Sequence, residues 1–226
     1  MSDSPTPSSI LIAGGSGGLG SAIARRLADT GAAITLVARD AGRLDAVPVS
    51  AYRRALDLRA PGAADVAVAA AIEHGGGLDV VVNAVGVVAF GPVADLGLDT
   101  MEELFLTNTF VPIMLAQAAL PVINKGGVFV NISGVIAEQN LPGMAAYGAS
   151  KAAVRSFDEA FAREARRAKV RVIDARPPHT ETGLADRAIE GEAPKMPEGL
   201  TADQVAAVIV DAINGDATDL PASAFA

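Results

Sequence analysis

Apolar and polar positions form regular blocks along the chain. Short runs rich in β-branched residues predict buried parallel strands, and the segments between them have the apolar spacing of helices. The predicted strands cover 9–13, 33–38, 52–56, 78–83, 128–132 and 170–175, with a last edge strand at 220–225. The predicted helices cover 18–29, 61–73, 100–120, 146–167 and 201–214.

This alternation of strands and helices predicts an α/β fold. Residues 9–226 are expected to form one domain on a doubly wound, mostly parallel sheet with helices on both faces, in three layers. Residues 1–8 are polar and predict a disordered N-terminal tail rather than a secretion signal. Residues 177–200 contain four prolines and no regular period, which predicts a loop that covers a ligand site as a lid.

Composition narrows the classes of function. The net charge of −8 argues against a nucleic-acid partner, and no stretch has the roughly 20 apolar residues of a membrane span. The 226-residue chain has no cysteine, which excludes disulfides and thiolate catalysis, and its two histidines, His74 and His179, are too far apart in sequence to favour a metal site. We therefore expect a cytoplasmic protein with no metal and no membrane partner.

A glycine-rich turn follows the first predicted strand. Its pattern is Gly14-x-x-x-Gly18-x-Gly20, and it opens the first predicted helix. A helix N-terminus placed this way can bind the pyrophosphate of a dinucleotide, although glycines also occur in ordinary tight turns. Its candidate ligand-binding residues are Gly14, Ser16, Gly18, Leu19 and Gly20.

Tyr147 and Lys151 are four residues apart, so they share one face of a predicted helix. A lysine ammonium beside a phenol favours the phenolate and is expected to lower the tyrosine pKa. The pair could then exchange protons near neutral pH. Combined with a nucleotide cradle, it indicates hydride transfer to or from a carbonyl.

Four motifs in this order resemble the short-chain dehydrogenase/reductase family over nearly the whole chain. They are the glycine turn, Asn83-Ala84-Val85-Gly86, Tyr147-x-x-x-Lys151, and the segment Pro177 to Thr182. The resemblance implies a Rossmann-like fold and an enzyme that interconverts a carbonyl and an alcohol with NAD(P). It also implies a homodimer or homotetramer, assembled through the helix that holds Asn108 and the helix that follows Tyr147.

The same resemblance implies catalytic roles. Tyr147 would be the general acid and base, Lys151 would hold the nicotinamide ribose, and Asn108 would hold a water of a proton relay from within a kinked helix. A capping or buried polar role is the other interpretation of Asn108. Counting back from Tyr147, the family's catalytic serine falls at Gly134, so we expect the adjacent Ser133 to orient the carbonyl; otherwise Tyr147 polarises the carbonyl alone.

The cofactor site can be assigned residue by residue. Arg39 ends the second strand where a carboxylate would favour NAD, and an arginine there suits the 2′-phosphate of NADP. NADP(H) is therefore favoured over NAD(H), although Arg39 could also be a solvated surface residue. By resemblance, the remaining cofactor residues are Asp57 and Leu58 at the adenine, Asn83, Ala84 and Gly86 after the fourth strand, and Pro177, Thr180 and Thr182 at the nicotinamide.

Two rival functions share this fold. One is a binding or regulatory protein that senses NADP(H) but turns over poorly, which Gly134 in the serine position supports. The other is a reaction without net redox change, such as epimerisation or dehydration.

In each case the ligand is a small molecule, and five apolar residues are candidates for the lining of its pocket: Phe90, Leu141, Met144, Leu184 and Met196.

Overall fold

A computed structural model of the chain describes residues 7–226. The predicted tail, residues 1–8, therefore falls mostly outside the described residues. Its last residue, Ser8, is held in place, since its backbone N–H and its hydroxyl both donate to the Asp79 carboxylate at 2.7 Å. Ser8 therefore packs against the domain, although the predicted tail included it.

The core of the fold is a parallel sheet of seven strands. Their order is β3-β2-β1-β4-β5-β6-β9, and every neighbouring pair is parallel. The seven strands are β1 (Ser9–Ala13), β2 (Ala33–Ala38), β3 (Tyr52–Ala55), β4 (Val80–Asn83), β5 (Val128–Ile132), β6 (Arg171–Ala175) and β9 (Asp219–Leu220). A separate two-stranded parallel sheet pairs β7 (Thr180–Glu181) with β8 (Leu200–Thr201).

Helices cover both faces of the large sheet. They are α1 (Gly18–Ala28), α2 (Ala41–Asp45), α3 (Ala63–Gly75), α4 (Leu98–Phe105), α5 (Val111–Ala119), α6 (Ala145–Ala165) and α7 (Ala202–Asn214). Successive side chains of a strand point to opposite faces, so β1 contributes Ile10 and Ile12 to the core under α1 and α7, and Leu11 and Ala13 to the core under α3, α5 and α6. The predicted three-layer, Rossmann-like single domain is confirmed.

The strand order places a ligand crevice. The chain winds from β1 to β3 in one direction and then returns to the other side of β1 with β4. In open parallel sheets, ligands bind outside the carboxyl ends of the strands at such a reversal. The loops that follow β1 and β4 therefore face the expected site.

The helix predicted over 100–120 is interrupted. Leu106–Phe110 form a π-helical segment between α4 and α5, and Pro112 lies in the first turn of α5. The physical reason lies in Asn108, whose buried side chain bonds to the backbone of Val87 instead of packing as an ordinary helical residue. Wide turns of this kind are frequent at functional sites.

Two predictions at the C-terminal end need correction. The edge strand predicted at 220–225 is short: only Asp219–Leu220 pairs with β6, and Ala222–Phe225 form a 3₁₀ helix. Pro221 has no N–H to continue a ladder, which explains the break. The segment 177–200, predicted as irregular, contains β7, the 3₁₀ turn Ala185–Arg187 and the start of β8.

Among the helices of residues 7–226, none combines the length and the apolar character that crossing a bilayer requires.

Substitution of Thr201 tests the start of α7. The Thr201 hydroxyl accepts from the Gln204 backbone N–H at 3.2 Å, while the Gln204 side chain accepts from the Thr201 backbone N–H at 2.9 Å, which is a complete capping box. Thr201→Ala should lower the free energy of unfolding by about 1 kcal/mol. Urea denaturation measures the change; Thr201→Ser, which keeps the hydroxyl, should unfold close to the parent, and equal losses in both variants would contradict the capping role.

Candidate active site and nucleotide crevice

A cavity of about 570 Å³ lies at the carboxyl ends of the central strands. This volume is typical of a small-molecule site. Most of the residues predicted from the sequence line it: Gly14, Ser16, Gly18, Leu19, Arg39, Asp57, Leu58, Ala84, Gly86, Tyr147, Lys151, Pro177, Thr180 and Thr182. The five apolar candidates, Phe90, Leu141, Met144, Leu184 and Met196, line it as well.

The turn between β1 and α1 depends on close backbone packing. Gly14 has a φ of +77°, and a Cβ there would lie 2.6 Å from the carbonyl oxygen of Ala84. A Cβ on Gly18 would lie 2.9 Å from Thr182. The N-terminus of α1 is thus held against the loop after β4 and the segment after β6, and only glycine leaves backbone N–H groups free to approach a pyrophosphate.

Two predicted cofactor residues shape the cavity without lining it. A Cβ on Gly20 would lie 2.3 Å from the Gly14 carbonyl oxygen, so Gly20 allows α1 to begin directly behind the turn. Asn83 is buried; its Nδ2 donates to Asn131 Oδ1 at 3.0 Å, and its own Oδ1 accepts from the Val85 N–H at 3.3 Å. The structure gives both residues a supporting role, and their contact with a cofactor stays a prediction.

A group of arginines occupies the end of the cavity beside β2. Arg39 is 55% exposed at its side chain and 3.9 Å from Glu103 Oε1. Arg43 Nη2 donates to the backbone carbonyl of Ser16 at 3.2 Å. Arg43 was missed in the sequence, although its position three residues after Asp40, which caps α2, was a signal that it faces the glycine turn.

A second ion-pair group lies beside the first. Arg59 donates to the Asp57 carboxylate at 2.6 Å and to both oxygens of Glu103 at 2.5 Å. Its hydrogen bonds hold the pKa of Asp57 below its usual value, and the two carboxylates raise the pKa of Arg59. Arg59 is thus neutralised by carboxylates, whereas Arg39 and Arg43 line the cavity beside β2 and the glycine turn.

Tyr147 lies in the first turn of α6 and lines the cavity with a half-buried side chain. Burial raises the pKa of its phenol to about 12. The expectation that Lys151 lowers this pKa is wrong for the protein without ligand. Desolvation disfavours the phenolate, and the Lys151 ammonium is directed elsewhere.

Lys151 lies one turn further along α6 and is only 6% exposed. Its Nζ donates to the backbone carbonyl of Ile132 at 2.9 Å, at the end of β5. Burial lowers the pKa of Lys151 to about 8, while Asp174 and Asp158 act to raise it. The ammonium is therefore fixed beside the end of β5. Because its pKa is about 8, it loses its charge only slightly above neutral pH.

Ser133 does not reach the cavity, which corrects the prediction that it orients a carbonyl. It is 0% exposed, and its Oγ donates to the Asp174 carboxylate behind β5. Gly134 lines the cavity instead, with a φ of +80° and a ψ of 160° that side chains rarely adopt. The position at which the family has its serine therefore presents backbone alone.

Asn108 does not line the cavity either. Its Nδ2 donates to the Val87 carbonyl at 2.9 Å and to Ser150 Oγ at 3.0 Å, and its Oδ1 accepts from the Val87 N–H at 2.9 Å. The side chain thus ties the π-helical segment to the loop after β4 and to α6. The other interpretation, a buried polar residue, describes these contacts, and a part in a proton relay remains a proposal.

His179 follows the two prolines that leave β6 and lines the same cavity. Its Nε2 is 3.1 Å from Glu181 Oε1, and that oxygen also accepts from the Gly199 N–H at 2.9 Å. The structure places it on the wall of the cavity.

Three comparisons with known proteins bear on this site. The family model described as short chain dehydrogenase matches residues 8–193. The chain belongs to this family. Its relatives include an uncharacterized oxidoreductase of Methylorubrum extorquens, 30% identical over 92% of this chain and 90% of the relative, and one of Staphylococcus epidermidis, 28% identical over 86% and 87%.

A solved structure extends the comparison. A short-chain dehydrogenase from Burkholderia cenocepacia in complex with NADP superposes with a TM-score of 0.85, at 27% identity and over 100% of both chains. Members of the short-chain dehydrogenase family are oxidoreductases that bind NAD(P) and act on small molecules. Within residues 7–226 no cluster of three or more histidine and acidic side chains is placed to hold a metal ion.

The nucleotide cradle can be tested at Gly14. Gly14→Ala places a methyl group against the Ala84 carbonyl and also strains the backbone at positive φ, so nucleotide binding should be lost and the melting temperature should fall. Gly31→Ala is the matched control: its φ is +78°, but a Cβ there meets no described atom within 4 Å. It should cost only the conformational penalty of roughly 1–2 kcal/mol. Calorimetric titration with NADPH and thermal unfolding measure both effects, and equal behaviour of the two variants would contradict the close approach.

Proposed function

We propose that the protein is an NADP(H)-dependent oxidoreductase that interconverts a carbonyl and an alcohol. The observation that carries this proposal is that Tyr147 and Lys151 line the same cavity as the glycine turn of α1. A nucleotide bound at that turn would lie in the same cavity as the tyrosine. The relative solved with NADP supports the choice of cofactor class.

The residues of the cavity divide into two ends. The glycine turn, with Gly14 and Gly18, would hold the pyrophosphate, and Asp57 and Leu58 would contact the adenine. Lys151, Pro177 and Thr182 would hold the nicotinamide half. The bound nucleotide supplies or accepts a hydride, and the remaining chemistry belongs to the side chains of the chain.

Tyr147 would supply the proton. In the reductive direction the carbonyl carbon gains a hydride, the carbonyl oxygen becomes an alkoxide, and the phenol of Tyr147 donates its proton to that oxygen. With its pKa raised to about 12, the phenol is fully protonated at neutral pH and is ready to act as the acid. The reverse reaction needs the phenolate, so oxidation should be favoured by alkaline pH.

Polarisation of the carbonyl would depend on Tyr147. Ser133 is turned away toward Asp174, and Gly134 has no hydroxyl. A single donor to the developing oxyanion gives weaker stabilisation than two. This observation favours one second candidate, a short-chain dehydrogenase that binds NADP(H) and turns over slowly.

Preference for NADP(H) over NAD(H) would come from Arg39 and Arg43. Both line the cavity next to the glycine turn, and Arg43 already contacts the backbone of Ser16. Guanidinium groups pair with phosphate through two parallel hydrogen bonds, and the 2′-phosphate is the group that NAD lacks. The glycine turn itself has no basic side chain, since position 17 is a glycine. Arg43 supplies a second basic residue beside Arg39.

We further propose that the protein acts in the bacterial cytoplasm as a homodimer or homotetramer. Phe110, in the π-helical segment next to α5, is 54% exposed, and apolar surface of this kind is a common interface anchor. A single-protomer mass in light scattering at micromolar concentration would contradict the assembly.

Substitution of Tyr147 tests the reaction. Tyr147→Phe should lower kcat for carbonyl reduction by about 10²–10⁴-fold, because the proton donor is lost while the ring remains. Binding of NADPH should change little. Stopped-flow NADPH oxidation with a panel of ketones and aldehydes, together with calorimetric titration, measures the two effects; undiminished turnover in the variant would refute the role of Tyr147.

Cofactor preference can be tested at the two arginines. Arg39→Ala and Arg43→Ala should each weaken NADPH binding about tenfold or more, because each removes a charged hydrogen-bond donor to phosphate. The affinity for NADH should stay nearly constant. Arg54→Ala removes an exposed arginine of β3 that does not line the cavity and serves as the control. Equal losses for NADPH and NADH would show that the arginines do not read the 2′-phosphate.

A further inference from the structure

A group of charged side chains is buried directly behind the proposed site. Lys151, Asp158, Asp174 and Arg176 are between 3% and 7% exposed, and we call them the buried charge cluster. Buried charges are costly unless they are paired, so such a group calls for a reason. Only Lys151 among them lines the cavity of the proposed active site.

Asp174 is fixed from two sides. Ser133 Oγ donates to Asp174 Oδ1, and Arg176 Nη1 donates to Asp174 Oδ2. Arg176 is itself anchored, with Nη2 2.6 Å from Asp219 Oδ1 and Nε 2.7 Å from Glu138 Oε1. The carboxylate thus has donors on both oxygens and little freedom to rotate.

Lys151 is attached to the same corner of the sheet. Its Nζ bonds to the carbonyl of Ile132, and Ile132 immediately precedes Ser133, the donor to Asp174. Ile132 also pairs in register with Ala175, the residue that follows Asp174. The ammonium and the carboxylate are therefore held by two consecutive residues, Ile132 at the end of β5 and Ser133 directly after it.

Asp158 differs from Asp174 in its surroundings. It lies two turns after Lys151 on α6, and its Oδ1 accepts from Asn131 Nδ2 at 2.6 Å. Its Oδ2 has no hydrogen-bond partner among the described residues. Burial raises the pKa of both carboxyl groups, and that of Asp158 lies well above its usual value. For Asp174 the bonds from Ser133 and Arg176 act against burial and stabilise the ionised form. The negative charge of the pair therefore belongs mainly to Asp174.

The consequence concerns the charge of Lys151. Desolvation alone disfavours a buried ammonium, and the two carboxyl groups named above are what oppose it. We propose that Asp174 is a positioning residue: its carboxylate, fixed by Ser133 and Arg176, keeps the ammonium of Lys151 charged while the site works at neutral pH. The part that concerns turnover rests on the proposed function.

Members of the buried charge cluster line two different cavities. Asp158, Asp174 and Arg176 line a second cavity of about 560 Å³, which shares no lining residue with the first. Ser133 gains a function in this arrangement, since it holds the carboxylate that supports the lysine.

The sign of the pH dependence follows from the groups around Lys151. Tyr147 and Asp158 lie on its own helix, Asp174 and Arg176 come from β6 and the residue after it, and Glu138 pairs with Arg176. With its pKa lowered to about 8, Lys151 is charged below this pH and neutral above it. Removal of the Asp174 charge lowers the pKa further, so the ammonium should be lost at a lower pH.

The test is Asp174→Asn, which removes the charge and keeps the shape. In the protein without ligand, the titration of lysine ¹³Cε signals by NMR should show the Lys151 midpoint about one pH unit or more lower than in the parent. The chain has only four lysines, and Lys151→Arg identifies the signal. The alkaline limb of kcat for carbonyl reduction should move in the same direction.

Two further variants complete the experiment. Asp219→Asn removes another partner of Arg176 at an exposed site and should leave the Lys151 midpoint unchanged. Ser133→Ala weakens the support of Asp174 and should lower the midpoint by a smaller amount, which keeps the proposal testable if Asp174→Asn does not fold. The proposal is overturned if the Lys151 midpoint is unchanged in Ser133→Ala and is also unchanged or unmeasurable in Asp174→Asn. An equal shift of the midpoint in Asp219→Asn overturns it as well.

The two readouts separate this proposal from the proposed reaction. If the parent protein reduces no carbonyl substrate, the proposed function fails, while the NMR midpoint still supports or overturns the electrostatic role of Asp174. If turnover is observed and the midpoint does not move, the reaction stands and the role of Asp174 is refuted.

Discussion

The close approach of two backbones at the end of β1 is the constraint on which the crevice depends. Gly14 lies against the carbonyl of Ala84, and Gly20 lies against Gly14 in turn. This packing fixes where α1 begins and how near its free N–H groups come to the loop after β4. Because the neighbouring strands are parallel and in register, the same contact also sets the positions of the segments that follow β5 and β6.

Burial of ionisable groups has a free-energy cost that changes the pKa values of the site. Burial acts on Tyr147 and Lys151 in opposite directions, raising the pKa of the phenol and lowering that of the ammonium. Both shifts favour the neutral forms, which are the protonated phenol and the uncharged amine. The spacing of the two residues on a helix suggests the opposite, a phenolate beside an ammonium. The carboxylate of Asp174 acts against this tendency for the lysine, and nothing equivalent acts on the tyrosine in the described residues of the protein without ligand.

The fold and the position of the crevice were predictable because they depend on local patterns. Short β-branched apolar runs, the glycine turn and the spacing of Tyr147 and Lys151 are all visible within a few residues. The sequence does not show where a side chain turns when two partners compete for it. Ser133 prefers Asp174, and Asn108 prefers Val87 and Ser150; these partners are distant along the chain. The direction of a pKa shift likewise depends on how deeply a group is buried. The four-residue spacing of Tyr147 and Lys151 does not reveal that burial.

The left-handed conformation of Gly134 bears on how this sequence can evolve. A serine that replaces Gly134 would inherit a φ of +80° that its Cβ disfavours, although no described atom lies within 4 Å of such a Cβ. The loop after β5 would have to adopt another backbone path at the same time. A single substitution at Gly134 therefore adds a hydroxyl only together with backbone strain.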